Sequence, residues 1–253
     1  MTEWHPLRST NDGGSDIWQS LNEIAETRAR NCAAARLPSL DHASIKDFSD
    51  VYEPSDDTYL LIDGIQADLT ENPSLQQHYH NILEIGCGSG VPIVFLSSLL
   101  PASFAMATDI NPKALNFTKQ TALENGVEVL ETIQCDLGSA LLPRFEERID
   151  ILIFNPPYVP TPDDEVSGNG IEASWAGGLK GRRVIDRAIP QITRLLSRPH
   201  GVCYMITVDD NIPEEIGALF EKDGLKMEPF VRRRACNEYL TVQKIFFSQD
   251  KRT

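Results

Sequence analysis

Length, composition and charge limit what the chain can be. It has 253 residues, of which 41% are hydrophobic and 24% charged, as is usual for a soluble globular protein, and no apolar run approaches the ~20 residues of a membrane span. The net charge of −14 disfavours non-specific binding to the phosphates of duplex DNA. Five cysteines without a C-x-x-C pair indicate a reducing compartment, the cytoplasm or also the nucleus, and argue against a disulfide framework or a metal site.

Residues 1–44 are predicted to form an N-terminal extension outside the main domain, which is expected to cover residues 45–249. Residues 1–14 are polar and contain too few apolar side chains to pack, so we expect them to be mobile. Residues 15–35 show the apolar spacing of an amphipathic helix. The catalytic chemistry is therefore expected to lie after this extension.

A helix is predicted from about Asp56 to Leu69. Ser55 is a suitable N-cap, and the acidic side chains of Asp56 and Asp57 in the first turn interact favourably with the helix dipole. The apolar side chains that follow have the spacing of a helix with one buried face. Taken alone, this pattern indicates only a well-capped helix.

The next motif is a buried strand at residues 81–85 that runs into three alternating glycines, Gly86, Gly88 and Gly90. Glycine tolerates backbone conformations that other residues avoid and lets a ligand lie close to the main chain. The spacing differs from the G-x-G-x-x-G of dinucleotide-binding folds and, with Glu84 two residues before the turn, resembles that of class I S-adenosylmethionine-dependent methyltransferases. The resemblance implies that S-adenosyl-L-methionine is the cofactor and that Glu84, Gly86 and Gly88 contact it.

Two further strand ends carry acidic side chains. A second strand at residues 103–110 ends in Asp109, and a third at residues 127–134 is followed by Asp136 and Leu137. An acidic residue about 20 positions after a glycine turn accepts hydrogen bonds from ribose hydroxyls in nucleoside-binding α/β folds, so Asp109 is the predicted ribose ligand. Asp109 as the N-cap of the next helix is the alternative, and both roles can hold. The resemblance implies that Asp136 and the backbone of Leu137 bind the adenine end.

The fourth strand, residues 149–154, stops abruptly at Asn155-Pro156-Pro157-Tyr158. Two prolines cannot continue a strand, and a residue before proline is held extended, so Asn155 is predicted at the carboxyl end of the strand, where open α/β sheets bind ligands. The oxygens of the Asn155 side chain and the Pro156 carbonyl can accept both hydrogens of a planar –NH₂ group, on which Tyr158 can stack. Asn155, Pro156 and Tyr158 are the predicted catalytic residues. Pro157 completes the predicted substrate site, and Asn155 is also expected to contact the cofactor.

The alternative interpretation of residues 155–158 is a purely structural one, in which a proline turn with a capping Asn ends the strand.

The remaining chain predicts one long loop and further alternating helices and strands. Residues 159–182 are rich in glycine and proline, and a loop of this length is usually functional, so we predict a substrate lid. The other predicted elements are the helices 91–100, 112–125, 181–197 (interrupted by Pro190) and 213–223, and the strands 201–208, 225–233 and 239–247, of which the last two are antiparallel. Together they predict a Rossmann-like α/β fold with a seven-stranded, doubly wound sheet.

Three segments together resemble the eukaryotic and archaeal HemK-type release-factor glutamine methyltransferases. They are Val-Tyr-Glu-Pro-x-x-Asp-Thr at residues 51–58, Asn-Pro-Pro-Tyr at residues 155–158, and Gly-Ile-Glu-Ala-Ser-Trp-Ala-Gly-Gly at residues 170–178. The resemblance covers about residues 48–247 and implies that Thr58 contacts the cofactor. It also implies the reaction, which is methylation of N5 of the glutamine in the Gly-Gly-Gln motif of a class I translation release factor.

Other functions are compatible with parts of this sequence pattern. An adenine-N6 methyltransferase would use the same Asn-Pro-Pro-Tyr chemistry on a flipped base, but it needs a basic surface, and the composition is acidic. Two arginine clusters, at residues 182–194 and 232–234, are exceptions, although such clusters are more often solvated helix or hairpin faces. A non-catalytic nucleoside-binding module would require a damaged motif, and none is damaged. Methylation of protein lysines stays open as a second specificity.

The resemblance also implies a protein partner, since eukaryotic members of the family work with a small zinc-binding activator subunit. The predicted third strand lies at one edge of the sheet and carries Val127, Val129 and Ile133. An apolar edge strand associates with other chains unless it is covered, and a second chain can add to it by backbone pairing. The alternative is that the predicted amino-terminal helix, from Ile17 to Arg28, covers this edge.

Overall fold

A central sheet of seven strands organises the computed structural model, which describes residues 36–167, 171–235 and 238–248. The strands are β1 (Asn81–Ile85), β2 (Phe104–Asp109), β3 (Leu130–Gln134), β4 (Ile151–Phe154), β5 (Val202–Thr207), β6 (Leu225–Ala235) and β7 (Glu238–Phe247). Their order is β3-β2-β1-β4-β5-β7-β6, in which β1 to β5 are parallel and β7 is antiparallel to both β5 and β6. The predicted Rossmann-like, seven-stranded α/β fold is confirmed.

Helices cover both faces of the sheet. They are α1 (Asp56–Glu71), α2 (Val91–Leu99), α3 (Pro112–Glu124), α4 (Leu142–Phe145), α5 (Arg183–Leu195) and α6 (Pro213–Glu221). In β4, Ile151 and Ile153 belong to the core under α1, α2 and α3, whereas Leu152 and Phe154 belong to the core under α5 and α6. A strand buried on both faces explains the uninterrupted apolar run before Asn155. In the described ranges, none of the helices is long and apolar enough to cross a membrane.

The strand order places a crevice between β1 and β4. From β1 the chain proceeds to β2 and β3 on one side, and then returns to β4 on the other side. Ile85 and Phe154 are direct partners at the carboxyl ends of β1 and β4, so the glycine turn and Asn155 begin at the same level of the sheet. Ligands of open α/β sheets bind at this kind of switch point.

The third strand is shorter than predicted. It starts at Leu130, and the residues 127–129 that were expected to extend it lie outside the sheet. The Val127 N–H donates to the Ala122 carbonyl (2.9 Å), which closes the end of α3 next to Gly126 and turns the chain away from the sheet edge. Val129 stays 60% exposed immediately before the strand. The prediction that β3 is an edge strand is confirmed, but its placement of Val127 and Val129 on that strand is wrong.

Residues 36–50 pack on the domain, although residues 36–44 were expected to belong to the extension. The backbone N–H and carbonyl of Ser39 bond the side chain of Asn125 at the end of α3 (2.7 and 2.9 Å). Leu40 and Phe48 pack against the buried Phe117 of the same helix. The predicted helix at residues 15–35 lies outside the described residues.

The segment at residues 159–182 contains regular structure, where a long loop was expected. Short 3₁₀ turns form at Glu165–Ser167, Ile171–Ser174 and Leu179–Gly181. A β-bridge joins Val159 to Ala176, so the two ends of the segment lie side by side. We call residues 159–182 the lid segment.

A pair of glycine substitutions tests how tightly α2 and α3 are packed at the glycine turn. Gly90 has φ of +73°, and an added Cβ would lie 2.7 Å from Cγ2 and 2.8 Å from Oγ1 of the fully buried Thr118. Gly126 has φ of +71°, with nothing within 4 Å of an added Cβ. We expect Gly126→Ala to lower the free energy of unfolding by about 1–2 kcal/mol through backbone strain, and Gly90→Ala to lower it by about 2 kcal/mol more through overpacking. Urea unfolding measures both values, and equal losses would contradict the prediction.

Candidate active site

A cavity of about 370 Å³ opens at the carboxyl edge of the sheet. This volume falls in the range of small-molecule sites, roughly 300–1,000 Å³. Most of the predicted site residues line it, namely Thr58, Glu84, Gly86, Gly88, Asp109, Asp136, Leu137, Asn155 and Pro157. Pro156 is buried and Tyr158 is half-buried, and neither contributes to the lining. The structure thus brings the residues together, and their contacts with a ligand stay predictions.

The glycine turn leaves the main chain open to this cavity. Gly86 has φ of +67°, and an added Cβ there would meet nothing within 4 Å. Gly88, with φ of +48°, donates its backbone N–H to Asp109 (3.0 Å). Both residues therefore need the conformational freedom of glycine, and at Gly86 the space that a side chain would take is available to a ligand.

Asp109 is held by the backbone on both of its oxygens. Oδ2 accepts the Gly88 N–H and Oδ1 accepts the Asn111 N–H (2.8 Å). Burial raises the pKa of Asp109, and the bonds from Asn111 and Gly88 oppose that rise. The N-cap of α3 is Asn111, whose Oδ1 accepts the Lys113 N–H (3.0 Å), so the alternative interpretation of Asp109 as that cap is wrong. A carboxylate oxygen with one such bond can still accept a hydroxyl.

Glu84 is buried at the floor of the site, with 2% of its surface exposed. Its Oε2 accepts the Ile93 N–H in the first turn of α2 (3.0 Å). Burial raises the pKa of Glu84 well above its ordinary value, the Ile93 bond opposes this, and the nearby Asp109 adds to it. Two acidic groups thus lie close together in a poorly solvated part of the cavity.

Asp136 and Leu137 follow β3 and line the cavity together with the glycine turn. The Asp136 carboxylate forms an ion pair with the Arg187 guanidinium of α5, and about half of each side chain is exposed. Arg187 also lines the cavity, a position that its place in a basic cluster did not indicate. Leu137 has φ of +54°, an unusual conformation for a residue other than glycine, and such strain is often found at functional sites.

Asp57, which has 3% of its surface exposed, organises residues 155–158, which we call the acceptor motif. Its Oδ2 accepts hydrogen bonds from the Tyr52 hydroxyl (3.1 Å), the Asn155 Nδ2 (3.1 Å) and the Tyr158 hydroxyl (3.2 Å). Its Oδ1 accepts the Thr58 N–H (2.6 Å) and hydroxyl (3.2 Å). The sequence assigned Asp57 only a helix-dipole role. Its place beside Thr58 in the recognised 51–58 motif was the one signal of a further function.

Asn155 consequently presents one atom without a partner. Its Nδ2 is bonded to Asp57, whereas its Oδ1 is buried and has no hydrogen-bond partner among the described residues. A buried acceptor without a donor is costly unless a ligand supplies one. The atom that the sequence predicted to receive an acceptor N–H is thus available for it.

The phenol groups of Tyr52 and Tyr158 act here as hydrogen-bond donors. Burial raises the pKa of Tyr158 far above its ordinary value, and the negative charge of Asp57 adds to the effect. The pKa of Tyr52 is raised in the same way, mainly by burial and next by the negative charge of Asp57. Both hydroxyls therefore keep their protons at physiological pH, and Tyr158 is anchored by its hydroxyl to the same carboxylate as Asn155.

Asn211 joins the acceptor motif to the lid segment, a role that sequence did not indicate. This fully buried side chain donates from Nδ2 to the carbonyls of Tyr158 (2.8 Å) and Lys180 (2.9 Å), and its Oδ1 accepts the Val208 N–H (2.8 Å). Gly181, with φ of +66°, packs so closely that an added Cβ would lie 1.8 Å from the Tyr158 carbonyl oxygen. The lid segment is therefore attached to the acceptor motif through buried backbone contacts.

Comparisons with known proteins agree on one family. A family model described as the Methyltransferase small domain matches residues 58–168. The chain is 45% identical over 208 residues to Methyltransferase HEMK2 of Homo sapiens, which covers 82% of this chain and 94% of that protein. It is 34% identical over 224 residues to the eRF1 methyltransferase catalytic subunit mtq2 of Schizosaccharomyces pombe, with 83% and 94% covered.

A solved structure shows the same similarity. The E. cuniculi Mtq2–Trm112 complex, described as responsible for methylation of the eRF1 translation termination factor, contains a chain that matches with a TM-score of 0.58 and 28% identity. The match covers 79% of this chain and 99% of that one. The N-terminal domain of human METTL16 in complex with SAH matches with a TM-score of 0.54 at 15% identity, which shows a shared fold alone.

Glu84→Gln tests the burial of the carboxyl group. Because burial raises the pKa of Glu84 above 4.5 in the folded protein, the folded state binds this proton more tightly than the unfolded state. The stabilisation that comes from this tighter proton binding is fully present below pH 4.5 and is lost as the pH rises through the folded-state pKa. We expect the variant to match the wild type near about pH 4 and to be more stable at about pH 8, measured by urea unfolding.

The exposed Glu131 of β3 offers a control for the loss of one carboxylate. Because its side chain is exposed, Glu131→Gln should change the free energy of unfolding at about pH 8 by less than about 0.5 kcal/mol. A Glu84→Gln variant that is less stable than the wild type at the higher pH would show that the ionised carboxylate stabilises the fold.

Proposed function

The chain belongs to the release-factor glutamine methyltransferase family that includes HEMK2 and Mtq2, and from this premise we propose that it methylates the glutamine side chain of a Gly-Gly-Gln motif in a class I translation release factor. The observation that supports this most directly is the buried, unpartnered Oδ1 of Asn155 at the carboxyl end of β4. This oxygen can accept a hydrogen bond from a substrate group that donates one, as the N–H of a glutamine amide does.

S-adenosyl-L-methionine is the proposed methyl donor, and the residues present suit it. The open backbone at Gly86 leaves room for its amino-acid end, Asp109 can accept its ribose hydroxyls, and Asp136 with Leu137 can hold its adenine. Thr58 and Glu84 complete the proposed contacts. When bound, this cofactor supplies a methyl group activated by a positively charged sulfur.

The protein's own contribution is to position a poorly nucleophilic nitrogen. Oδ1 of Asn155 and the carbonyl of Pro156 are proposed to accept the two amide hydrogens, which holds the nitrogen in place and favours an electron-rich, pyramidal geometry. The Tyr158 hydroxyl is fixed on Asp57, and the Tyr158 ring is proposed to pack on the planar amide. The proton can leave after methyl transfer, so a histidine base is not required.

The arginine clusters support a protein substrate over DNA. Six of the seven arginines in these clusters form ion pairs with acidic side chains, namely Arg182 with Asp186 and Glu215, Arg183 with Asp163, Arg187 with Asp136, Arg194 with Glu146, Arg232 with Asp209, and Arg233 with Asp63. An arginine in such a pair has to give up its acidic partner before it binds a phosphate. In a chain of net charge −14, these clusters do not form the basic footprint that an adenine-N6 methyltransferase of DNA needs.

Asn155→Ala tests both the acceptor and the reaction. With labelled S-adenosyl-L-methionine, the wild type should label a release factor, but neither a Gly-Gly-Ala version of it nor duplex DNA. Asn155→Ala should lower kcat on the order of 10²–10³-fold, as the loss of a transition-state contact does, and change cofactor affinity less than about tenfold. Asn81→Ala, which removes an amide at the opposite end of the sheet, is the matched control and should keep wild-type turnover.

Three results would count against this function. Near-normal methylation by Asn155→Ala would remove Asn155 from the mechanism. Equal labelling of the Gly-Gly-Ala factor would show that another residue is the acceptor. Labelling of DNA in place of the factor would favour the adenine-N6 reaction.

We also propose that a small zinc-binding activator subunit pairs with the edge of β3. The solved relative is itself a complex of Mtq2 with Trm112, and here β3 ends the sheet with the exposed Val129 beside it. An uncovered edge of this kind is an association hazard. Whether the segment from Ile17 to Arg28 covers the edge instead concerns residues outside the described part of the chain.

Co-expression tests this pairing. The chain alone should be poorly soluble, and co-expression with the activator should restore soluble yield and cofactor binding, because a partner covers the edge. Val129→Asp should abolish the rescue. Leu179→Asp, which changes a similarly exposed (67%) side chain in the lid segment, should not. A soluble, monomeric and fully active chain without the activator would reject the pairing.

A further inference from the structure

Packing alone does not determine which way the Asn155 side-chain amide is turned. The oxygen and the –NH₂ group of an amide have nearly the same size, so rotating the side chain by half a turn leaves its shape unchanged. In one orientation Asn155 offers an acceptor to the substrate, and in the other it offers a donor. Only its hydrogen-bond partners select between the two.

Asp57 is the partner that makes this selection. Its Oδ2 lies 3.1 Å from the Asn155 Nδ2. In the reversed orientation, the Asn155 oxygen would face this carboxylate oxygen at the same distance, so a charge-assisted bond would be replaced by repulsion between two oxygens. We propose that Asp57 is a positioning residue that fixes the Asn155 amide with its oxygen toward the substrate nitrogen. This inference rests on the proposed function and deepens it.

The other contacts of Asp57 keep it a pure acceptor. Its Oδ1 receives the backbone N–H of Thr58 at 2.6 Å, and a backbone donor cannot turn away. Its Oδ2 also receives the hydroxyls of Tyr52 and Tyr158, which remain protonated because burial raises their pKa. With the Thr58 hydroxyl on Oδ1, each oxygen of the carboxylate thus accepts at least two hydrogen bonds, and the Asn155 –NH₂ is one of the donors.

This arrangement also acts on the reacting end of the amide. A carboxylate that accepts from Nδ2 draws positive charge onto the –NH₂ group and increases the negative charge on Oδ1. Because Oδ1 is buried and without a partner among the described residues, it is prepared to accept a substrate N–H in a site of low polarity. The site therefore favours substrate groups that donate a hydrogen bond, such as an amide N–H, over groups that only accept one, such as a carboxylate.

Asp57→Asn reverses the selection without changing the shape of the side chain. The fixed Thr58 N–H requires an oxygen, so the new amide directs its own –NH₂ toward Asn155, and Asn155 then turns its oxygen inward and its –NH₂ toward the substrate. We expect kcat for the release factor to fall on the order of 10²-fold, with KM and cofactor affinity changed less than about threefold. Asp57→Asn with wild-type kcat overturns the proposal.

The exchanged pair provides a rescue that a structural role alone does not predict. In Asp57→Asn combined with Asn155→Asp, the amide at position 57 donates to one carboxylate oxygen at position 155, and the other oxygen faces the substrate as an acceptor. We expect kcat at least about tenfold above either single variant, since the two changes restore one shared interaction. A double variant no more active than the singles overturns the proposal.

Asp68→Asn is the matched control for loss of a buried carboxylate. Asp68 lies further along the same helix, has 3% of its surface exposed, and receives the Tyr204 hydroxyl and the Lys244 ammonium. Its substitution should lower stability while leaving kcat of the folded enzyme at the wild-type value. If Asp68→Asn lowers kcat as much as Asp57→Asn does, destabilisation explains both, and the proposal fails.

A measurement without substrate separates this inference from the proposed function. In ¹⁵N-labelled protein, the –NH₂ resonances of Asn155, assigned by their loss in Asn155→Ala, should be protected from solvent exchange, and Asp57→Asn should shift them and abolish the protection. Unchanged resonances in Asp57→Asn overturn the positioning role, whatever the substrate. If instead the wild type methylates no release factor while the resonances respond as expected, the proposed function fails and the positioning role stands.

Discussion

The site depends on one buried carboxylate whose partners are all neutral. Asp57 is almost inaccessible to solvent, yet its five hydrogen-bond contacts come from two phenols, one amide, a hydroxyl and a backbone N–H. A buried charge without compensation costs several kcal/mol, so these donors and the amino-terminal end of α1 have to converge for the carboxylate to be tolerated. Three parts of the chain meet there: the segment before α1, the helix itself and the acceptor motif after β4. The same contacts that compensate the buried carboxylate therefore arrange the acceptor.

The order of the strands brings the proposed cofactor-binding residues close to the acceptor motif. Because β1 and β4 are neighbours, the turn at Gly86 and the end of β4 at Asn155 lie on opposite sides of one crevice. The lid segment packs on the acceptor motif at the Tyr158 carbonyl. Asn211 donates a hydrogen bond to this carbonyl, and Gly181 lies so close to it that a larger side chain would not fit. The described part of the lid segment is thus packed against the backbone that carries the acceptor.

The parts of the site that sequence revealed are those with a local physical cause. Gly86 and Gly88 are needed for positive φ within one turn, and Asn155 is held extended by the proline that follows it, so short motifs were enough to predict them. Asp57, Asn211 and Arg187 act on residues that are 98, 53 and 51 positions away, and no local pattern reports such contacts. At Val127 a local pattern led to a wrong prediction. The β-branched residues around it indicated a strand, but a hydrogen bond from the Val127 N–H to the Ala122 carbonyl closes the preceding helix instead.

The electrostatics of the cavity favour a cationic ligand. Glu84 and Asp109 are both buried, and burial raises the pKa of each, which means that their negative charges are poorly compensated by the protein itself. On the proposed function, the ligand carries an ammonium group and a sulfonium, and positive charge near these carboxyls lowers their pKa again. Binding and deprotonation then favour each other. Methyl transfer removes the sulfonium charge, so the product loses part of this attraction while its ribose and adenine contacts are unchanged. On the proposed function, Glu84 and Asp109 would therefore favour binding of the positively charged cofactor over its product.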